Sequence, residues 1–255
     1  MLVFGQRLET FHVQATDGEL GKVKDIYFDE ENWVIRYLVI DTLKWLPGRK
    51  VLLSPIAFDH IDFENEKVNI LETKEKIKES PPIDEHKPVS RQYEARLSVY
   101  YSWPLYWGYY EPERYWGNYN TPHQLKEQET MPEVFDPEEV EQTNKLRSAK
   151  ELKGEFTGYK INTIDGEIGN VADFLIDDEN WKIRYFVVGT GNWLPGKYVV
   201  LSVDWIQDIS WKDSSVTVDL TKDQIENGPF FELGDPFTKK EEKILYESYG
   251  KNLHL

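Results

Sequence analysis

The chain has 255 residues, no cysteine and a formal net charge of −16. That charge excludes a phosphate-tracking nucleic-acid surface, whose affinity comes from a basic stripe, and without cysteine there is no disulfide, thiol nucleophile or Cys-ligated metal. No apolar run approaches the ~20 residues of a membrane span, and MLVFGQRLETF lacks the regions of a signal peptide, so a soluble, cytoplasmic chain is expected.

In chain order, Leu8 to Thr16 alternates apolar and polar residues and ends at Asp17-Gly18, a tight-turn signal. Val23 to Asp29 predicts a second strand, Asp29-Glu30-Glu31-Asn32 a turn, and Trp33 to Asp41 a third strand. Trp33, Ile35, Tyr37 and Val39 fall on one face of it, and Val34, Arg36, Leu38 and Ile40 on the other. Two largely apolar faces suggest a barrel whose outside is partly covered. Trp45-Leu46-Pro47-Gly48 makes the next turn. Short strands follow at Val51 to Ser54 and Val68 to Leu71. Thr73 reads as the N-cap of a helical turn stopped by Pro81, and Ser90 opens a helix with Tyr93, Leu97, Tyr100 and Tyr101 at helical spacing.

Residues 103–119 are dense in Trp, Tyr, Gly and Pro, and the stretch up to Lys145 is acidic and weakly apolar, as a solvated linker is. Asp165 to Ser202 then repeats Asp17 to Ser54 without a gap, which makes the chain two copies of one unit. The face carrying Trp33, Ile35, Tyr37 and Val39 recurs unchanged as Trp181, Ile183, Tyr185 and Val187, and is read as the inner one. The Trp-Leu-Pro-Gly turn recurs at Trp193. Thr221 matches Thr73, and Thr238 with Glu241 forms a capping box at the start of the last helix. The expected division is a first β-barrel over 1–82, a connector and helix over 83–105, an aromatic then acidic linker over 106–148, a second barrel over 149–230, and a connector and C-terminal helix over 231–255.

The ordered set Asp17-Gly18, Gly21, Val23, Asp25, Trp33, Arg36 and Tyr37, with its copy Asp165-Gly166, Gly169, Val171, Asp173, Trp181, Arg184 and Tyr185, resembles the PRC-barrel family. That family includes the cytoplasmic domain of the photosynthetic reaction-centre H subunit and the C-terminal domain of a ribosome-maturation factor. The resemblance implies a mainly β fold: two small PRC-type barrels in tandem, each followed by a short α-helix. It implies protein contact rather than catalysis, and it supplies no catalytic residue. The transmembrane helix of the reaction-centre subunit has no counterpart here.

Asp25 and Asp173 lie inside apolar strands, where an unpaired carboxylate is costly. Arg36 and Arg184 recur with them, so structural ion pairs Asp25–Arg36 and Asp173–Arg184 are expected. The acidic turns at Asp29 and Asp177 read as solvated hairpins, with a hard-cation site as the alternative. The five histidines have no metal or triad spacing. No P-loop, GxGxxG or GxSxG is present. The expectation is a non-enzyme without cofactor or metal, binding a protein partner through Trp45, Trp193, Arg36, Arg184, Trp107, Tyr109 and Trp116. A small-ligand module for a cation or carbohydrate is the alternative. So is peripheral attachment to a membrane electron-transfer complex, without insertion. Self-association is open.

Overall fold

In the computed structural model, residues 1–42, 45–83, 88–107, 122, 136–191, 195–234 and 236–252 are described. The chain forms two compact units that do not follow the contiguous division expected from the repeat. One holds Leu8–Ser148 with Glu179–Trp181, and the other holds Met1–Arg7, Ala149–Asp178 and Lys182–Leu255. They are called the first-repeat and second-repeat units.

In the first-repeat unit the strands are β2 (His12–Ala15), β3 (Gly18–Asp29), β4 (Ile35–Asp41), β5 (Lys50–Leu53), β6 (Phe58–Asp62), β7 (Lys67–Ile70) and β8 (Leu146–Ser148). The sheet order is β5-β4-β3-β2-β7-β6, with β8 paired to β3. A 3-10 turn at Pro55–Ala57, capped by Ser54, joins β5 to β6, so the chain itself links the two ends of that order. Strand β2 pairs antiparallel with β3 and parallel with β7. Helices α2 (Lys74–Glu79) and α3 (Arg91–Tyr101) follow, capped by the Thr73 and Ser90 side chains.

The second-repeat unit repeats this plan. Its strands are β9 (Lys160–Thr163), β10 (Gly166–Asp177), β11 (Lys182–Gly189), β12 (Tyr198–Ser202), β13 (Ile206–Ser210) and β14 (Ser215–Val218), ordered β12-β11-β10-β9-β14-β13. Its extra strand is β1 (Leu2–Phe4), at the start of the chain, paired to β10. Helix α1 (Gly5–Leu8) follows β1, just as α4 (Ala149–Lys153) follows β8. Helices α5 (Lys222–Glu226) and α6 (Lys239–Ser248) complete it, each with the capping box in place at Thr221 and Thr238.

The repeated residues have local causes. A Cβ on Gly21 would stand 2.0 Å from the Asp41 carbonyl oxygen, and one on Gly169 the same distance from that of Gly189, so only glycine lets the long strand cross its neighbour there. Asp17 and Asp165 do more than turn the chain, because each accepts a 2.8 Å bond from the first amide of the following helix, Lys74 or Lys222. Every residue of β4 from Ile35 to Ile40 is buried, so neither face of the strand meets solvent. Trp33 and Trp181, expected inside strands, sit instead in left-handed turn conformations at φ 60° and 52°, before β4 and β11 begin.

Candidate functional site

The chemistry-bearing residues of each unit gather where the helix after the barrel covers strand β4 or β11. In the first-repeat unit Arg36 donates through Nε and Nη2 to Asp29 Oδ2, at 2.6 and 2.5 Å. The guanidinium lies 3.8 Å from the Tyr106 ring centroid. The Tyr106 hydroxyl donates to Glu94 Oε2 at 2.6 Å, and Arg91 Nη1 stands 3.3 Å from Glu94 Oε1. Glu94 also accepts from the Tyr37 hydroxyl. No part of Glu94 reaches solvent. Burial pushes its carboxyl up to about 7 against the pull of Arg91, and burial beside that carboxylate holds the Tyr37 and Tyr106 hydroxyls well above the phenol range. Desolvation lowers Arg36 while Asp29 raises it.

The second-repeat unit carries a reduced version. Tyr185 donates its hydroxyl to Glu242 Oε1, Arg184 Nη2 stands 3.4 Å from the same oxygen, and Arg184 Nη1 is 3.7 Å from Asp177. Burial and the Glu242 hydrogen bond raise the Tyr185 hydroxyl. Here Phe237 packs on Tyr185 at 5.2 Å.

The expected pairs of Asp25 with Arg36 and of Asp173 with Arg184 are therefore corrected to Asp29–Arg36 and Asp177–Arg184. The cause is a pair of bulges in each long hairpin. Tyr27 faces Tyr37 but Phe28 faces Ile35, which makes Arg36 the extra residue. Val23 faces Ile40 but Asp25 faces Val39, which makes Lys24 another. The same shifts occur around Arg184 and Ala172. A bulge re-aims the side chains beside it, so a strict period of two assigns Asp25 and Arg36 wrongly. Arg36 is also buried, at 3% exposure, and is no part of an open partner surface.

Asp25 and Asp173 have other work. Asp25 accepts from the Ser148 hydroxyl at 2.6 Å, and from its neighbour Ile26 N at 2.7 Å. Asp173 accepts from Gln6 N at 3.0 and 3.2 Å through its two oxygens, and Lys153 Nζ stands 3.7 Å away. Each buried carboxylate thus holds the strand-to-helix corner of an added segment, β8–α4 or β1–α1.

Most of the acidic-turn carboxylates bind cations of the protein. Glu30 pairs with Arg147 at 3.0 Å, Glu31 with Lys145 at 3.2 Å, and Asp178 with the N-terminal ammonium. Trp45 is half-buried, with Lys74 Nζ 4.7 Å above its ring. Trp107 lies under the Arg91 guanidinium at 4.9 Å. Trp103 stacks on Tyr101 at 4.1 Å, so the described start of the aromatic stretch packs on its own unit. Trp193, Tyr109 and Trp116 lie outside the described residues.

Two features escaped the sequence reading. An open cleft in the second-repeat unit is lined by Phe230, Phe231, Glu232, Pro236, Thr238 and Glu241, and its last two residues are spent on the α6 cap. More conspicuous is the loop 154–158. Gly154 is left-handed at φ 64°, Tyr159 N closes the loop on Leu152 O at 2.8 Å, and Asn170 donates to Gly158 O at 2.9 Å. The loop holds Phe156 out, 94% exposed. A Gly-x-Phe-x-Gly spacing with no counterpart in the first copy was the available signal.

A scan of protein families matches the PRC-barrel domain twice, over residues 3–77 and 153–225. No curated protein matches the chain. Among the described residues no helix is long and apolar enough to cross a membrane. Two matches spanning more than half of the chain, on two sheets of one topology, make this a member of the PRC-barrel family with the domain in tandem.

Proposed function

We propose that the chain is a non-catalytic scaffold that binds a protein partner, acting as a cytoplasmic adaptor. The observation that supports this reading is the contrast between its buried polar groups and its exposed apolar ones. Glu94 with Tyr37, and Glu242 with Tyr185, the groups that resemble acid–base machinery, are buried and hydrogen-bonded to each other. A general acid or base has to reach a substrate proton. Phe156, in contrast, stands free on a loop braced by backbone bonds. A pre-positioned aromatic side chain loses little entropy on entering a partner's pocket, which is how an interface anchor works.

The test is affinity capture from the host's lysate with the wild-type chain and with Phe156→Ser. The reading expects a dominant protein to be captured by the wild type and lost from the variant, with the melting temperature unchanged. Capture that is indifferent to Phe156, or turnover of a small molecule by the purified chain, contradicts it.

A further inference from the structure

Each unit is completed by a segment from the other repeat. Strand β1 pairs with the far half of β10 in the register Leu2–Asp177, Val3–Ile176 and Phe4–Leu175. Strand β8 pairs with the far half of β3 as Leu146–Asp29, Arg147–Phe28 and Ser148–Tyr27. The two arrangements match position by position, because Phe4 and Ser148 are both the last paired residue before a helical turn. In both units the edge of the long strand continues past its β2 or β9 partner and would otherwise lie open, and an open edge is a template for another chain.

The sockets are built, not incidental. Asp173 is fully buried and its two oxygens receive the Gln6 amide, while a Cβ on Gly5 would come within 2.9 Å of Asp173 Oδ1. Val3 is buried at 3% exposure. The N-terminal ammonium pairs with Asp178, whose amide donates to Met1 O at 3.2 Å. Asp25 serves the other socket through Ser148. The β10 socket therefore reads a buried apolar strand residue, Val3, then a glycine, Gly5, beside the carboxylate.

We propose that these sockets are exchange sites for a second copy of this chain: Met1–Arg7 of one molecule docks on β10 of another, and the return exchange closes a symmetric dimer. The β1–β10 ladder, the Asp173 bonds to Gln6 N and the Asp178 pair with the N-terminal ammonium are then remade between two molecules. In one molecule the tether supplies an effective concentration of about millimolar, so the closed monomer dominates when dilute and the exchanged dimer grows with concentration. Two identical swaps satisfy each other, which makes the assembly finite rather than a filament.

The absence of cysteine makes the test clean. Full-length Val3→Cys and Ile176→Cys chains are mixed at high concentration, annealed below the unfolding midpoint and oxidised. Directly opposed strand residues lie within disulfide reach. The expected product is a disulfide-linked heterodimer whose fraction rises with concentration, while the double variant V3C/I176C, oxidised when dilute, runs as a cross-linked monomer. Cross-linked monomer from the double variant with no heterodimer from the mixture removes the exchange at the β10 socket. Failure of the double variant to cross-link overturns the pairing itself. Tyr27→Cys with Ser148→Cys repeats the test at the other socket, in case the buried Val3 and Ile176 positions do not tolerate substitution. Heterodimer at either socket supports the proposal, and none at both sinks it.

Discussion

Glu94 carries the clearest consequence of burying a charge. Its carboxyl is held at about 7 in the folded chain against 4.5 when free. Between those values the folded state keeps a proton that the unfolded state releases, so stability falls as pH rises. The contribution is whole below about pH 4.5 and lost by about pH 7. Glu94→Gln should flatten that fall by on the order of 3 kcal/mol, while leaving stability near pH 4 almost unchanged. Urea unfolding at a series of pH values reads it, and a variant with the wild-type slope contradicts the assignment. Asp173 holds a corner of the fold by accepting bonds. Asp173→Ala removes the acceptor of the Gln6 amide and the carboxylate beside Lys153, and should cost about 2–4 kcal/mol. It should also speed amide exchange at residues 2–7 ahead of the rest of the chain. The recurrence of this aspartate was plain from the sequence, but its partner was not. Gln6 is far away along the chain, and a bulge at Ala172 reverses the phase on which the Arg184 pairing rested.

At the scale of elements, the two hairpins that carry Trp33 and Trp181 show how closely similar sequence acquires different roles. Both tryptophans take the left-handed backbone that L residues avoid. Trp33 stacks on Phe28 at 5.4 Å and stays half-buried. Trp181, with Glu179 and Asn180, belongs to the first-repeat unit, where its carbonyl accepts from Ile35 N at 2.7 Å and its ring meets Phe58 at 5.0 Å. At 2% exposure it is a core residue. Trp181→Ala should therefore cost about 3–5 kcal/mol, and Trp33→Ala distinctly less. Equal losses in denaturant titrations would remove the distinction. The succession of strands along the chain, the Thr73, Thr221 and Thr238 caps and the covering helices were legible, because each follows from local periodicity or cap chemistry. The tryptophan turns were not, since a large aromatic next to an apolar run reads as strand. The loop carrying Phe156 was missed because a gapless comparison of the copies starts at Asp165, beyond it. Phe156→Ser should shift stability by less than about 0.5 kcal/mol, as expected of an exposed side chain.

For the molecule as a whole, each PRC-barrel unit contains a segment from outside its own repeat. The duplicated sequence announced two domains, and contiguous boundaries were the natural expectation from it. The segments that cross, Met1–Arg7 and Glu179–Trp181, are short, and the first lies upstream of any gapless repeat. No local pattern says which sheet a three-residue strand joins. Pairing across long sequence distances is decided by which edge is open. This arrangement makes each unit's stability depend on a piece of the other repeat. Hydrogen exchange on the full chain and on the chain without Met1–Arg7 tests that most directly. The account predicts that removing seven residues strips protection from Leu175–Asp177 and lowers it through β10 and β11, while β2 to β5 keep theirs. Unchanged protection along β10, or loss confined to the first-repeat unit, would contradict it.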